Sequence, residues 1–228
     1  MSGKETKGVS MRTQERFSRQ LGILDPDKLK ARVTVIGAGG IGSWTVAMLS
    51  RIGFEDITVY DDDIVSEVNL GYQFFRDKDI GKSKVEALKD FIYEFSKMNI
   101  TAKNELYKGG DYKELMICAV DSMDTRVAIW DKVKMKPQIK CYVDARMGAE
   151  IMRIYTLCPT DIDNIAEYEK ELYPSSEAEQ GDCSFKSICY NTGTIASFII
   201  NNVKKHFIDG KSDKEIFFDL KTMALVRR

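Results

Sequence analysis

The sequence lacks the cysteine pairs and the multiple histidines on which several kinds of site depend. Its five cysteines include no C-x-x-C pair, and their odd number does not fit a complete set of disulfides. This pattern predicts a reducing compartment and argues against a four-thiolate zinc site. The single histidine, His206, argues against a Ser-His-Asp triad and against a metal site built from several histidines.

A strong net charge and long apolar runs are also missing. The formal net charge is -1, so the overall field does not favour nucleic acid or an anionic membrane. The longest apolar runs, such as TIASFII, are far too short to span a bilayer. The N-terminal segment contains no apolar stretch typical of a signal peptide. We therefore expect a cytoplasmic protein, with a short disordered tail over residues 1–12 and one domain over residues 13–228.

Strand-like and helix-like segments alternate along most of the chain. The β-rich runs RVTVIG, DITVYD and LMICAV are separated by segments with apolar residues at helical spacing. This alternation predicts an α/β fold, a Rossmann-like and mostly parallel sheet with helices on both faces. After Cys158 an acidic, turn-rich stretch predicts a long crossing loop at about 159–187. The last segments, EIFFDL and MALVRR, predict a C-terminal hairpin.

A glycine-rich segment directly follows the first predicted strand and opens a helix. It contains G-x-G-x-x-G at Gly37, Gly39 and Gly42. Glycines in this context let the backbone approach phosphates, and the helix N-terminus supplies N–H donors. Asp61 ends the second strand about 20 residues further on, where it can accept hydrogen bonds from ribose hydroxyls. These residues alone predict a nucleotide site, and a NAD(P)-dependent oxidoreductase would fit them equally well.

Further polar residues stand at the ends of predicted elements. Asp63 lies two positions after Asp61, which places both on one face of an extended chain. Lys84 begins a predicted helix, from which its amine can reach phosphates. Asp124 follows the fourth strand, a natural place for a carboxylate that holds a metal ion. The oxidoreductase alternative leaves Lys84 and Asp124 unexplained.

Together these motifs resemble the ThiF/MoeB family of adenylyltransferases, which is related to the ubiquitin-activating enzymes. Five motifs occur in the family's order from Arg16 to about Arg126: R-x-x-R-Q, G-x-G-x-x-G, D-x-D-x-V-x-x-x-N-L-x-x-Q, G-x-x-K and D-x-x-D. The resemblance implies ATP- and Mg²⁺-dependent adenylation of a carboxylate, usually the C-terminal glycine of a small ubiquitin-like or sulfur-carrier protein with a β-grasp fold. It also implies a homodimer. Neither a membrane nor a nucleic acid is expected as a partner.

The resemblance also implies roles for individual residues. Asp61 would hold the ribose, and Asp124 would bind magnesium. Lys84 and Arg19 would neutralise the triphosphate, with Arg19 reaching the partner subunit's ATP. The residues expected to be catalytic are Arg19, Lys84, Asp124 and Cys183. The residues expected to bind the cofactor are Gly37, Gly39, Gly40, Gly42, Asp61, Asp63, Asn69, Gln73 and Lys84.

The sequence departs from the family pattern in two places. Tyr72 stands where the family has an arginine in N-L-x-R-Q, and a tyrosine cannot replace a charged, bidentate donor. Arg76 is a candidate replacement, and a non-catalytic scaffold that keeps the family fold is the alternative. The family's C-x-x-C pairs are missing, so no zinc is expected.

Two residues in the second half of the chain have alternative interpretations. Cys183 falls in the crossing loop, where several relatives carry a cysteine that bonds covalently to the carrier protein. Its thiolate could attack the acyl-adenylate, or it could be an inert loop cysteine, with Cys189 as the second candidate. Arg146 could steer the carrier's C-terminal tail or could form a structural ion pair.

Overall fold

The computed structural model describes residues 15–177 and 187–228. Its sheet has eight strands in the order β3-β2-β1-β4-β5-β6-β7-β8. The strands are β1 (Val33–Ile36), β2 (Ile57–Tyr60), β3 (Thr101–Lys103), β4 (Leu115–Cys118), β5 (Cys141–Gly148), β6 (Ile151–Leu157), β7 (Glu215–Asp219) and β8 (Ala224–Arg227). Strands β1 to β5 pair in parallel, and β6, β7 and β8 extend the sheet in antiparallel pairing. The predicted α/β fold, with its mostly parallel sheet and C-terminal hairpin, is confirmed.

Helices cover both faces of this sheet. They are α1 (Gly40–Ile52), α2 (Lys84–Ser96), α3 (Met123–Val133), α4 (Ile162–Glu169) and α5 (Cys189–Lys204). Short 3-10 turns occur at Pro26–Lys28, Glu67–Asn69, Asp77–Asp79 and Ser175–Glu177, and a π-helical turn at Lys205–Asp209 extends α5. None of the helices in the described part of the chain is both long enough and apolar enough to cross a bilayer.

Helix α4 lies within the segment that the turn-rich composition predicted as a loop. Asp161 begins it, because its carboxylate accepts a hydrogen bond of 3.0 Å from the backbone N–H of Asn164. Such a cap satisfies one of the N–H groups that the first turn of a helix leaves unpaired. Tyr168, near the end of α4, is buried against Trp130 and Tyr142. Tyr168 therefore fastens the helix to the sheet.

The core has one layer on each side of the sheet. One layer contains Val35, Leu88 and Ile199, and the other contains Trp130 and Tyr142. Strands β1 and β4 are buried at every position, as expected for central parallel strands covered on both faces. Each fully buried aliphatic side chain of this kind contributes about 1.5–3 kcal/mol to stability. This packing holds the carboxyl ends of β2, β1 and β4 side by side at one edge of the sheet.

Candidate nucleotide site

The glycine loop between β1 and α1 is folded too tightly to accept side chains at two positions. Gly37 has φ +96, and a Cβ there would lie 2.7 Å from the carbonyl oxygen of Ala119. A Cβ on Gly42 would overlap the carbonyl oxygen of Gly37. A Cβ on Gly39 would meet nothing within 4 Å, and no described side chain caps the helix there. The first N–H groups of α1 therefore remain available to an anion.

Asp61 is fixed beside this loop. One of its carboxylate oxygens accepts a 2.6 Å hydrogen bond from the N–H of Ala38, and the other accepts a 2.9 Å bond from the N–H of Asp63. Burial raises the pKa of Asp61, and the bond from Ala38 partly offsets this effect. Because each carboxylate oxygen has a further lone pair, Asp61 can still accept hydrogen bonds from ribose hydroxyls.

Lys84 and Asp63 form an ion pair next to Asp61. Their charged atoms are 2.7 Å apart, and the Lys84 side chain is 8% exposed while that of Asp63 is 67% exposed. Lys84 is the first residue of α2, so its ammonium group is held at the mouth of the site by an acceptor that solvent can reach. The carboxylate oxygens of Asp61, Asp62 and Asp63 come within 4.8 Å of one another. Asp62 therefore belongs to the same acidic cluster, although the sequence analysis assigned it no role.

The two amide side chains predicted to bind the nucleotide have partners within the protein. The Oδ1 atom of Asn69 accepts hydrogen bonds of 2.9 Å from both the N–H and the hydroxyl of Ser66, which caps the Glu67–Asn69 turn. The Nε2 atom of Gln73 donates a 3.0 Å bond to the hydroxyl of Tyr72. The Oε1 atom of Gln73 is buried and has no partner among the described residues. Asn69 thus shapes the loop, whereas Gln73 keeps an unused acceptor.

Tyr72 lies where the glycine loop meets α5. Its ring carbons come within 3.1 and 3.3 Å of the position that a Cβ on Gly40 would occupy. Its carbonyl oxygen accepts bonds of 2.9 Å from the indole of Trp44 and from the hydroxyl of Thr192. The aromatic ring therefore packs against the first residue of α1 and supplies no positive charge there.

Arg76, the candidate replacement for the family arginine, is committed elsewhere. Its guanidinium pairs with the buried carboxylate of Asp79 at 2.7 Å and with Glu94, and it lies 4.8 Å from the ring centroid of Phe91. These contacts hold the pKa of Arg76 above its usual value, the hydrogen bond to Asp79 having the largest effect. The structure therefore assigns Arg76 to the packing of α2.

Asp124 stands in the first turn of α3, after the carboxyl end of β4. Its Oδ1 atom accepts a 3.0 Å hydrogen bond from the N–H of Ser175, and its own N–H donates a 3.0 Å bond to the Ser175 hydroxyl. The side chain is exposed, and Oδ2 has no partner among the described residues. An exposed carboxylate with one open oxygen fits magnesium, which prefers a small number of carboxylate ligands together with water and phosphate oxygens.

The structure places the remaining predicted residues away from the contacts described above or leaves them outside the described part of the chain. Arg19 is exposed and makes no hydrogen bond or ion pair with any described residue. Cys183 lies outside the described residues, and Cys189, the second candidate, is exposed at the first residue of α5. Arg146 forms an ion pair with the buried Asp144, the structural one of its two predicted alternatives.

A buried polar cluster next to the site was missed by the sequence analysis. Asp144 is fully buried on β5 and accepts hydrogen bonds from the guanidinium of Arg126, from the Nε atom of Arg146 at 2.8 Å and from the hydroxyl of Tyr168 at 2.9 Å. Arg126 also donates to the carbonyl of Val120 at the end of β4. The cluster therefore joins α3, β5 and α4 behind Asp124.

These features define a Rossmann-like domain with carboxylates and a lysine around a glycine loop. The sequence profile of the ThiF family matches residues 17–147, more than half of the chain, and the chain belongs to this family. The resemblance predicted from the motifs is thereby confirmed.

The curated relatives are activating enzymes for ubiquitin-like proteins. Ubiquitin-like modifier-activating enzyme 5 of Gallus gallus is 30% identical over 217 residues, which is 84% of this chain and 54% of the relative. The NEDD8-activating enzyme E1 catalytic subunit of Caenorhabditis elegans is 36% identical over 102 residues, which is 42% of this chain and 24% of the relative. The chain spans about half, or less, of the length of these relatives.

Solved structures share the fold at lower identity. PaaA superposes with a TM-score of 0.77 and 17% identity, over 100% of this chain and 77% of that one. MccB of E. coli, in a structure with AMPCPP and MccA, superposes with a TM-score of 0.71 and 19% identity, over 93% of this chain and 70% of that one. At these identities the likeness concerns the fold alone.

Proposed function

We propose that this chain uses ATP and Mg²⁺ to adenylate the C-terminal glycine carboxylate of a small carrier protein with a β-grasp fold, acting as a homodimer. The observation that carries the proposal is the bond from Ala38 to Asp61, which fixes a ribose-binding carboxylate against a glycine loop at the start of α1. Membership of the ThiF family supports it, as do relatives named for activating ubiquitin-like proteins.

The reaction joins two negatively charged groups. A carboxylate oxygen of the carrier attacks the α-phosphorus of ATP, the bond from that phosphorus to the bridging oxygen breaks, and pyrophosphate leaves. The site must hold both groups in line and neutralise their charge. The N–H groups of α1 and the ammonium of Lys84 would act on the phosphates, and Asp61 would hold the ribose. Magnesium, when held by Asp124, supplies further positive charge to the phosphate oxygens.

Two parts of the proposal rest on the sequence resemblance. The homodimer is implied by the role expected for Arg19, which would act on the partner subunit's ATP. Capture of the activated carrier by Cys183 is an expectation for a residue outside the described part of the chain. Arg19 and Cys183 are therefore secondary to the residues around the glycine loop.

Pyrophosphate exchange tests the proposed reaction. Labelled pyrophosphate should enter ATP in the presence of Mg²⁺ and of a β-grasp protein that ends in Gly-Gly. Asp124→Ala should reduce this exchange by about 100-fold or more, since it removes the carboxylate that would hold Mg²⁺ and with it the positive charge on the phosphate oxygens. The matched control is Asp131→Ala on the same helix, where the carboxylate pairs with Lys134 at 3.3 Å and exchange should not change.

Two results would contradict the proposal. Equal exchange in Asp124→Ala and the wild type would show that Asp124 does not take part in the reaction. Tight NADH binding without Mg²⁺, together with no exchange for any carrier, would instead favour the oxidoreductase alternative.

Replacing Tyr72 by arginine should strengthen ATP binding. An arginine at position 72, beside the first turn of α1, adds a charge-assisted hydrogen bond to phosphate, which is worth about 1.5–3 kcal/mol, or roughly tenfold to a hundredfold in Kd. Tyr72→Phe is the control, because it removes only the hydroxyl that Gln73 contacts at 3.0 Å. Calorimetric titration with a non-hydrolysable ATP analogue measures both. If Tyr72→Arg binds no more tightly than Tyr72→Phe, the aromatic ring is not what limits phosphate binding.

A further inference from the structure

We propose that Ser175 is a positioning residue for Asp124, and that it prepares the Asp124 carboxylate for a divalent cation. The inference rests on the proposed function, which assigns magnesium to Asp124. It extends that function to the segment between α4 and α5, where the sequence analysis assigned no role to any serine.

The two residues hold each other through a reciprocal pair of hydrogen bonds. The N–H of Ser175 donates to Oδ1 of Asp124 at 3.0 Å, and the N–H of Asp124 donates to the hydroxyl of Ser175 at 3.0 Å. The second bond caps α3 from outside, beside the internal cap in which the hydroxyl of Ser122 accepts from Thr125 at 3.3 Å. One oxygen of Asp124 is thereby fixed, and Oδ2 is left free among the described residues.

The pair is the polar anchor of residues 173–176 on α3. Before it, Glu171 is held by the hydroxyl of Tyr155 at 2.7 Å. After Glu171 the chain passes over a groove of about 500 Å³ between Leu172–Pro174 and the outer face of α3. Among the described residues, Ser175 makes the only hydrogen bonds that join residues 173–176 to another element. The contact is therefore not a by-product of close packing around it.

Fixing the carboxylate before the cation arrives should increase cation affinity. A free aspartate on the surface loses rotational freedom when it coordinates an ion, and this loss weakens binding. Because Ser175 has already restricted Asp124, part of that loss occurs on folding. Removing the hydroxyl of Ser175 breaks the bond from the Asp124 N–H and leaves only the bond from the Ser175 N–H to Oδ1 of Asp124. Because residue 175 is then held to α3 by a single bond, its N–H restricts the carboxylate less, and we expect cation affinity to fall about three- to tenfold.

The test uses Mn²⁺ as a spectroscopic substitute for Mg²⁺. The full chain is saturated with a non-hydrolysable ATP analogue, and Mn²⁺ binding is followed by electron paramagnetic resonance. Ser175→Ala should weaken Mn²⁺ binding three- to tenfold, and Ser175→Thr should bind Mn²⁺ as the wild type does because it keeps the hydroxyl. Ser176→Ala, at the exposed neighbouring position, should bind Mn²⁺ as the wild type does. Affinity for the analogue measured without metal should be the same in all four proteins.

Contrary outcomes separate this inference from the proposed function. If Asp124→Ala loses Mn²⁺ binding while Ser175→Ala retains it, Asp124 is a cation ligand and the role of Ser175 is wrong. If Ser175→Ala weakens analogue binding equally with and without metal, its role is structural and the inference is again wrong. If Asp124→Ala binds Mn²⁺ as tightly as the wild type, Asp124 is not the magnesium ligand, and the role proposed for Ser175 is then wrong as well.

Discussion

Replacing Gly39 by alanine should leave the fold intact and weaken ATP binding by about 100-fold, which corresponds to about 2.7 kcal/mol. A Cβ at Gly39 meets no protein atom within 4 Å, so the unliganded chain has room for it. The same methyl group would stand where the phosphates must approach the backbone of the loop. Thermal unfolding should therefore be unchanged, while titration with a non-hydrolysable ATP analogue should show the loss.

Gly42 and Gly22 provide the comparison. Alanine at Gly42 would overlap the carbonyl oxygen of Gly37, so this variant should lose stability as well as ATP binding, because backbone must move. Alanine at Gly22, where nothing lies within 4 Å and which is outside the glycine loop, should change neither property. Wild-type ATP affinity in Gly39→Ala would mean that phosphates do not bind on this loop.

The fold and the glycine loop could be predicted because their signals are local. Gly37, Gly39 and Gly42 follow a strand directly, and the end of the next strand identifies Asp61. In both cases the residues that form the pattern are also the residues that form the structure: the glycines make the loop, and the end of the strand places the carboxylate. The ion pair of Lys84 with Asp63 was not predicted, although both residues had been assigned to the same site.

Individual side-chain contacts could not be predicted in this way, even between residues that are close in the sequence. Asn69 and Gln73 were predicted as nucleotide ligands, but the sequence does not show that the Ser66 and Tyr72 hydroxyls engage them. The partners of Asp144 come from three elements, and its hydrogen bond to Tyr168 depends on α4, a helix hidden in a turn-rich stretch. Hydrophobic periodicity identifies elements and their buried faces, but it does not determine which buried charges meet.

Replacing Asp144 by asparagine should lower the free energy of unfolding by about 3–5 kcal/mol, because it leaves the charge of Arg126 buried and uncompensated. Arg126 is 3% exposed and Asp144 is 0% exposed, so water cannot replace the lost carboxylate. The side chains of aspartate and asparagine have nearly the same volume, and the change therefore tests charge instead of packing. Urea denaturation followed by circular dichroism measures the difference.

Two comparisons make this result specific to a buried pair. Asp209→Asn makes the same chemical change in a more exposed pair, where Asp209 is 43% exposed and lies 2.7 Å from Lys204, which is 21% exposed, and should cost no more than about 1 kcal/mol. The double variant Arg126→Met with Asp144→Leu should be more stable than Asp144→Asn, since it removes the most deeply buried charge, that of Arg126, while Arg146, which is 15% exposed, loses its carboxylate partner in both variants. If Asp144→Asn costs no more than Asp209→Asn, the cluster is not what holds α3 against β5, and the position of Asp124 must depend on its contact with Ser175 and on the packing of α3.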